Sequence, residues 1–348
     1  MSEWSKNAKW LKYRYIVFGA VIILLGIFIP VWAQAYWLHV TIIAIYYAIL
    51  ASSWTLLAGF TGQFSFAHMA FAGIGAYTSA LITLHTPTPP YMGIIVGTIV
   101  AALIGMGIGA LILRVRGPYL ALFTIAFSEI LRIVIGAEYK VTRGNFGLSV
   151  PPLFVSTSKL PYYYTILGLL VISLLIMGAI LNSRFGLFFR AIREDEDAAS
   201  AMGVNVTRYK IMAFTISSIF AGLAGAFYGH YVQMLTPNIM LLSQMGLVIA
   251  MSIIGGIESL VGAVIGAFLV EFILEYLRDY GEWRLVLFGL ALVLILRLSQ
   301  NGLIYPLYQR LAGKRIEVKT EPQFELELEE SKDLKTCSGG GGKNAGSQ

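Results

Sequence analysis

About ten stretches of mostly apolar residues follow one another along the chain between residues 15 and 305. A helix that crosses a bilayer needs roughly 20 such residues. Only 13% of this sequence is charged, whereas soluble domains carry about a quarter charged residues. We therefore predict an all-α polytopic membrane protein with about ten transmembrane or re-entrant helices. The predicted spans are residues 15–33, 37–58, 67–84, 92–113, 117–136, 162–182, 210–232, 244–256, 260–277 and 284–305.

Two of the predicted spans are unusual. The first follows a basic segment and therefore imitates a signal peptide, but its apolar run is longer than the usual 7 to 15 residues or so and nine more spans follow. We interpret it as an uncleaved helix. The eighth, residues 244–256, is too short to cross a bilayer alone at about 1.5 Å per residue. It either borrows length from its flanks or is re-entrant, and the sequence leaves both alternatives open.

The distribution of Lys and Arg between the loops predicts the orientation. With the N-terminus inside, fifteen of these residues fall on the inner side and five on the outer side, and cytoplasmic loops are the ones that carry the excess. Both termini are therefore predicted to be cytoplasmic. These basic loops account for the net charge of +6. We therefore expect the chain to contact membrane lipid and not to bind nucleic acid. The predicted parts are a cytoplasmic N-terminus (1–14), a transmembrane domain (15–305) and a flexible cytoplasmic tail (306–348).

The tail offers no cofactor site. Its "GGGGKN" sequence is similar to a phosphate-binding loop, but Cys337 stands where that motif needs its first Gly and Asn344 where it needs Ser or Thr. The same Cys337 is the single cysteine of the chain, so a disulfide framework within the chain and a cysteine-based metal site are both ruled out. We expect no directly bound nucleotide or metal.

A glycine-rich break with three polar side chains interrupts the apolar pattern at "AGFTGQFSFAHMAFAGIGAYTSAL", residues 58–81. Gln63, Ser65 and His68 fall within six residues there. Irregular backbone at membrane depth is tolerated only inside protein or beside water. Two interpretations stay open: a small-residue seam between helices with His68 hydrogen-bonded across it, or the border of a translocation path, as broken helices form in transporters.

Five segments resemble one family, the LivM-type permeases of branched-chain amino-acid ABC importers. They are "GFTGQFSFAHMAFAGIGAYTSALI", "RGPYLALFTIAFSEILRIVI", "TRGNFGLSVPP", "FGLFFRAIREDEDAASAMGVNVTRYKIMAF" and "IIGGIESLVGAVIGAFL". The resemblance covers roughly residues 40–305. The sequence departs from the family pattern at Arg143 and Glu258, where Gly is usual, and at Ala263, where Pro is usual.

This resemblance implies a function and a set of partners. The chain would be the membrane subunit through which Leu, Ile and Val enter the cell, located in the cytoplasmic (inner) membrane of a prokaryote. A second, LivH-like permease would pair with it. Two LivG- and LivF-like ATPases would use the ATP, and an external substrate-binding protein would deliver the cargo. Urea and short-chain amide permeases share the same motifs and form the nearest alternative.

The loop at about 183–209 carries the segment that resembles the EAA-x3-G coupling loop of ABC importers: Asp197, Ala198, Ala199 and Gly203. A short helix that ends at a glycine C-cap could lie in a groove of an ATPase and transmit its closure. Arg193 and Glu194, with the two acidic residues that follow them, would rim that contact, and its packing face would be formed by Ala198, Ala199 and Met202. The alternative is an ordinary charged loop between helices.

Charged residues inside the spans are few. Glu129 and Arg132 lie three residues apart in the fifth span and can interact on one helix face. They form either a structural pair near the outer end of the helix, or a polar lining of the path or of the interface with the second permease. Glu271 and Glu275, in the ninth span, are predicted to form a solvated outer face.

Two other classes of function fit the sequence less well. A stand-alone secondary transporter or channel predicts ion-coupled charges deep in several helices, yet Glu129 is the one good candidate, and a coupling loop would be unexplained. An intramembrane enzyme is disfavoured because four histidines without an HExxH motif or paired aspartates assemble no acid–base or metal constellation. For an amino-acid permease, the neutral side chains of Gln63, Ser65 and His68, together with Glu129, are the candidate path residues.

Overall fold

The computed structural model describes residues 30, 34–112, 118–156 and 158–281 and the isolated positions 283, 286, 289, 290 and 293. All of them belong to the first of two compact units of the chain, which ends at residue 308. The first and tenth predicted spans, the N-terminus and the tail lie outside the described residues or reach only isolated positions in them.

Helices occupy all eight predicted spans that fall in the described ranges, with ends that agree to within a few residues. Six of these helices are long and apolar enough to cross a membrane, which confirms a multi-pass helical membrane protein. In chain order the helices are α1 (Ala35–Trp54), α2 (His68–His85), α3 (Pro90–Ile112), α4 (Pro118–Ala137), α5 (Tyr139–Thr142), α6 (Leu160–Leu181), α7 (Arg184–Glu194), α8 (Glu196–Ala201), α9 (Val206–Val232), α10 (Leu242–Gly255) and α11 (Leu260–Tyr276).

Helix α1 runs through the centre of the described part of the chain. It continues as a π-helical turn, Thr55–Gly59, and nearly all of its inner two thirds is buried. Helices α6, α9, α10 and α11 pack around it. Because α1 is apolar on every side, it suits a fully surrounded position, as all-round hydrophobic helices do.

Small residues hold α2, α3 and α9 together. A side chain at Gly225 of α9 would overlap the backbone of Ala72 in α2, and one at Gly75 would overlap the backbone of Gly222. Such contacts let helix backbones approach closely, which is the usual way for membrane helices to associate. This observation confirms the small-residue seam that the glycine-rich stretch predicts.

The loops meet in two groups at opposite ends of the helices. At one end, strand β1 (Leu148–Ser149) pairs antiparallel with β2 (Met234–Leu235), and Lys159 Nζ donates to the Ala35 carbonyl oxygen at 3.3 Å. At the other end, Arg193 contacts both the Gly59 carbonyl and Glu258. The first group contains loops predicted to be outer and the second contains loops predicted to be inner, so the predicted alternation of the spans agrees with the fold. We use "outer end" and "inner end" in that sense.

Helix α10, the eighth predicted span, has only 14 residues. It starts beside Tyr47, whose hydroxyl donates to Gln244 Oε1 at 2.6 Å. Tyr47 lies eleven residues along α1 from the outer-end residue Tyr36, a distance of about 17 Å at 1.5 Å per residue. The remaining length is supplied by β2 and a 3-10 helix, Pro237–Met240. These two elements extend the eighth predicted span from its N-terminal flank toward the outer end.

Candidate coupling site and polar break

The inner-end loop predicted to couple to an ATPase folds into two short helices, α7 and α8. Asp195 caps α8, since its carboxylate accepts hydrogen bonds from the backbone of Asp197 and Ala198, both at 2.9 Å. Gly203 lies just beyond the other end with φ of +84°. Its N–H bonds the Ser200 carbonyl while the next N–H reaches back to Ala199, the pattern of a Schellman C-cap. The predicted short helix with a glycine stop is therefore present.

Helix α8 has one side packed on the protein and one side in the open. Ala199 is buried, whereas Ala198 is exposed and Met202 is 85% exposed. Glu194 and Asp197 are exposed as well. Two of the three residues predicted to pack against an ATPase, Ala198 and Met202, are thus accessible. The third, Ala199, instead packs against its own chain.

Arg193 points toward its own chain. Its Nη1 donates to the Gly59 carbonyl oxygen and its Nη2 to Glu258 Oε1, both at 2.6 Å. Gly59 ends the π-helical turn after α1, and Glu258 lies between α10 and α11. Arg193 therefore ties the loop to two other elements, so its observed contacts are internal.

The sequence analysis did not assign two residues, Lys210 and Glu258, to this site. Lys210, on the first turns of α9, forms an ion pair with Glu196, and both line a surface cleft of about 420 Å³ that also includes Asp197, Gly203 and Asn205. Glu258 was noted only as a departure from the family pattern. A Glu where Gly is usual, facing a loop rich in Arg, was the signal that could have identified this contact.

The polar break lies between the π-helical turn and α2. Gly62 has φ of +71°, a left-handed conformation that glycine adopts without strain. The Trp54 indole donates to the Ser65 carbonyl oxygen at 2.8 Å, and the Ser65 hydroxyl accepts from the Ala67 backbone. Gln63 donates to the Thr61 hydroxyl at 3.2 Å. Side chains thus replace helical hydrogen bonds where the helix is interrupted.

His68 starts α2 and is completely buried. Its Nε2 lies 2.5 Å from the Ser217 hydroxyl of α9, which donates to the Ser53 carbonyl oxygen of α1 at 2.8 Å. Nδ1 of His68 has no hydrogen-bond partner among the described residues. The histidine therefore links three helices, as the seam interpretation requires. Its part in a translocation path, like that of Gln63 and Ser65, stays a prediction.

Glu129 and Arg132 form the predicted ion pair on α4. Arg132 Nε donates to the two Glu129 carboxylate oxygens at 3.1 and 3.0 Å, and both side chains are partly exposed. The helix itself is the most open of the six candidate spans, with 17% of its residues buried. The pair therefore lies on an uncovered surface of α4, a helix that contacts the polar break at Thr124, whose hydroxyl accepts from the Phe66 backbone at 3.0 Å. Within the described part of the chain there is no group of His, Cys, Asp and Glu suited to a metal ion.

Comparison with known families bears directly on this arrangement. The model of the permease component of branched-chain amino acid transport systems matches residues 36–296, which include the polar break, α4 and the coupling loop. The chain belongs to this permease family. The permease is 28% identical to the high-affinity LivM permease protein of Escherichia coli strain K12 over 286 residues, 74% of this chain and 67% of the relative.

Other relatives extend the same similarity. The permease is 26% identical over 188 residues to a probable LivM protein of Methanocaldococcus jannaschii, which covers 49% of this chain and 54% of that one. It is also 26% identical over 284 residues to the LivH protein of Salmonella typhimurium, 74% of this chain and 91% of that one. No solved structure matches the permease.

Proposed function

We propose that this permease is the LivM-like membrane subunit of an ABC importer that carries branched-chain amino acids into a prokaryotic cell across its cytoplasmic membrane. The observation that carries the proposal is the family match over residues 36–296 together with relatives named as branched-chain amino acid transport permeases. Both termini and the coupling loop would face the cytoplasm.

The coupling loop supports an ATP-driven mechanism in which ATP is bound by partner subunits. Helix α8 is capped at both ends by the chain's own groups, so it does not need a partner to hold its shape. Its exposed residues Ala198 and Met202 offer a small apolar contact. Arg193, on the last turn of α7 just before α8, contacts the inner end of α1 and the α10–α11 connection, so movement of a docked ATPase would reach the membrane helices through this residue.

The second permease of the importer would cover α4. This helix is apolar, its surface is largely uncovered, and Glu129 and Arg132 lie on it as a pair. Charged groups within a span are costly unless they are paired or face protein or water. A LivH-like partner is favoured because LivM and LivH proteins are both similar to this chain. An external binding protein would then deliver the cargo to the outer end.

Transport of a zwitterion through such a protein requires weak, neutral contacts. Hydroxyl, amide and imidazole groups can replace part of the hydration shell and still release the cargo. Gln63, Ser65 and His68 provide these groups at a broken helix, where transporters commonly build their sites. Because all three are buried in this conformation, their exposure would accompany the conformational change that ATP drives.

The proposal is tested at the exposed surface of α8. Ala198→Arg adds a large charge where an ATPase would dock and leaves the caps of α8 intact, so we expect leucine uptake to fall and co-purification of the ATPases to weaken. The matched control is Phe146→Arg, a charge placed on an exposed residue of the outer end. Equal uptake and equal co-purification for the two variants would contradict the coupling role.

A further inference from the structure

A cavity of about 240 Å³ lies toward the outer end of the helix bundle, away from the coupling loop, and its buried end reaches Met69, the residue after His68. It is enclosed by α1, α2, α9 and the irregular segment 233–241 that precedes α10. Irregular backbone at membrane depth persists only when it is buried in protein or lines a cavity that holds water. The non-helical segment 233–241 is therefore suited to form the wall of a cavity that holds water or a ligand.

The polar lining of the cavity is built from hydroxyl and amide groups. Tyr46 is only 2% exposed, and its hydroxyl has no hydrogen-bond partner among the described residues. Tyr47 donates to Gln244 Oε1 at 2.6 Å and retains its oxygen lone pairs as acceptors. A buried polar group without a partner costs about 1 to 3 kcal/mol, so the Tyr46 hydroxyl is a group that a ligand would satisfy.

The rest of the lining is aliphatic. Met69 lies at the buried end, while Leu235 and Ile239 belong to the irregular segment and Val232 ends α9. Asn238 and Met234 are exposed and form the mouth. The cavity thus has an apolar wall next to a set of neutral donors and acceptors, and its described lining residues include no Lys or Arg.

These features define the ligand by its chemistry. The cavity is smaller than the roughly 300 to 1,000 Å³ of typical drug-sized sites, so the ligand must be small. The absence of lining cations disfavours phosphate and other anions. Hydroxyl and amide groups that both donate and accept hydrogen bonds suit a ligand without net charge, such as a zwitterion. An aliphatic side chain would contact the apolar wall.

We infer that this cavity is a binding site for one aliphatic α-amino acid within a single permease subunit. The inference rests on the proposed function for the identity of the cargo, and it adds a stopping point in the outer half of the bundle. The amino acid places its ammonium and carboxylate among Tyr46, Tyr47 and Gln244 and its side chain against Leu235 and Ile239. Tyr228, which stacks on Tyr46 with ring centroids 4.5 Å apart, fixes the orientation of that ring.

The test uses the assembled importer in lipid nanodiscs, without the binding protein and without ATP. On a Cys337→Ser background, Met234→Cys places a thiol at the cavity mouth, where the native side chain is 58% exposed. Its rate of reaction with a membrane-impermeant maleimide is measured as L-leucine is added. The matched control is Phe146→Cys, an exposed residue on the neighbouring outer segment that does not line the cavity.

We expect leucine to slow labelling of Met234→Cys and to leave Phe146→Cys unchanged, with urea and L-lysine much weaker. Adding Tyr47→Phe removes one hydroxyl and should raise the half-protecting leucine concentration about five- to tenfold, as loss of one hydrogen bond does. Tyr91→Phe, far along the chain on α3, should have no effect. No protection, equal protection at both thiols, or protection unaltered by Tyr47→Phe would overturn the site.

The same preparation separates this site from the proposed function. Leucine uptake by wild-type proteoliposomes, with the binding protein and ATP restored, reports on the function alone. Uptake without protection at Met234→Cys refutes the cavity site and leaves the function standing. Protection without uptake supports the site and refutes leucine import.

Discussion

The Arg193 guanidinium donates a hydrogen bond to the Gly59 carbonyl oxygen at 2.6 Å. These residues lie 134 positions apart, one in the coupling loop and one at the inner end of the central helix α1. Because the helix is interrupted shortly after Gly59, this carbonyl has no backbone partner in a following helical turn, and Arg193 supplies one. The bond also connects the surface that an ATPase would move with the helix at the centre of the bundle. A second bond, to Glu258, adds the α10–α11 connection.

Replacing Arg193 by Gln should uncouple ATP hydrolysis from transport. The shorter neutral side chain cannot reach both partners, and loss of a charge-assisted bond of roughly 1.5 kcal/mol corresponds to about a tenfold effect. We expect leucine uptake per importer to fall by about that factor while ATPase activity persists, both measured in proteoliposomes.

Two companions sharpen this prediction. Glu258→Gln should have a smaller effect, because the pair is partly exposed, exposed ion pairs contribute about 0 to 1 kcal/mol, and the Gly59 bond remains. Arg208→Gln, an exposed residue of the same loop, is the control. An equal loss of uptake in Arg193→Gln and Arg208→Gln would show that only the charge of the loop matters.

Gly203 should tolerate Asn but not Val. Its φ of +84° costs an ordinary L residue about 1 to 2 kcal/mol, and Asn bears that conformation best after Gly. Apart from the adjoining residues, no atom of the described chain lies within 4 Å of the position of an added Cβ, so backbone conformation and not crowding decides the effect. We expect Gly203→Val to reduce leucine uptake and Gly203→Asn to keep most of it. Similar activity of both variants would mean that the Schellman cap is dispensable.

The sequence predicts those parts of the fold that depend on the length of its apolar runs. Every described span was located from its run of Leu, Ile, Val and Phe, because burial in lipid demands such runs whatever the neighbours are. The short helix α8 was predictable from Asp195 and Gly203, since capping is a local property.

The unpredictable part depends on contacts between distant segments. The sequence gives no local sign that Arg193 reaches Gly59 and Glu258, and it was expected to face an ATPase. The tyrosines at 46 and 47 read as ordinary aromatic residues of a span, and their shared cavity depends on how segment 233–241 folds. His68 was predictable as a polar residue at a break, but its Ser217 and Ser53 partners required the packing of three helices.

The α2–α9 seam should be intolerant of even one methyl group. At Gly225 an added Cβ would overlap the Ala72 backbone, whereas at Gly168 on α6 nothing lies within 4 Å. We expect Gly225→Ala to lower the stability by about 1 to 3 kcal/mol through overpacking. Gly168→Ala should be neutral or stabilising, by at most about 1 kcal/mol, because Ala favours helix. Thermal unfolding of the purified importer, followed by size-exclusion chromatography, distinguishes the two.

His68→Ala should lower transport without preventing membrane insertion. The substitution removes the bond to Ser217 and leaves a void, so we also expect a loss of stability of about 2 to 4 kcal/mol. The control is His230→Ala, a second buried histidine that bonds Ser79 and the Pro151 carbonyl, both at 2.8 Å, away from the break. Because His68→Ala is also expected to lower stability, uptake is compared per folded molecule. If His68→Ala transports as well as His230→Ala on that basis, His68 has a packing role only.

The most direct test of the account is uptake of labelled leucine and labelled urea by cells with and without this permease, in the presence of its partner subunits. We predict leucine uptake that disappears on deletion, returns with the wild-type chain, returns only in part with Gly203→Val, and does not return when the ATPases are removed. Loss of urea uptake with leucine uptake intact would contradict the branched-chain substrate, and transport that persists without the ATPases would contradict an ABC importer altogether.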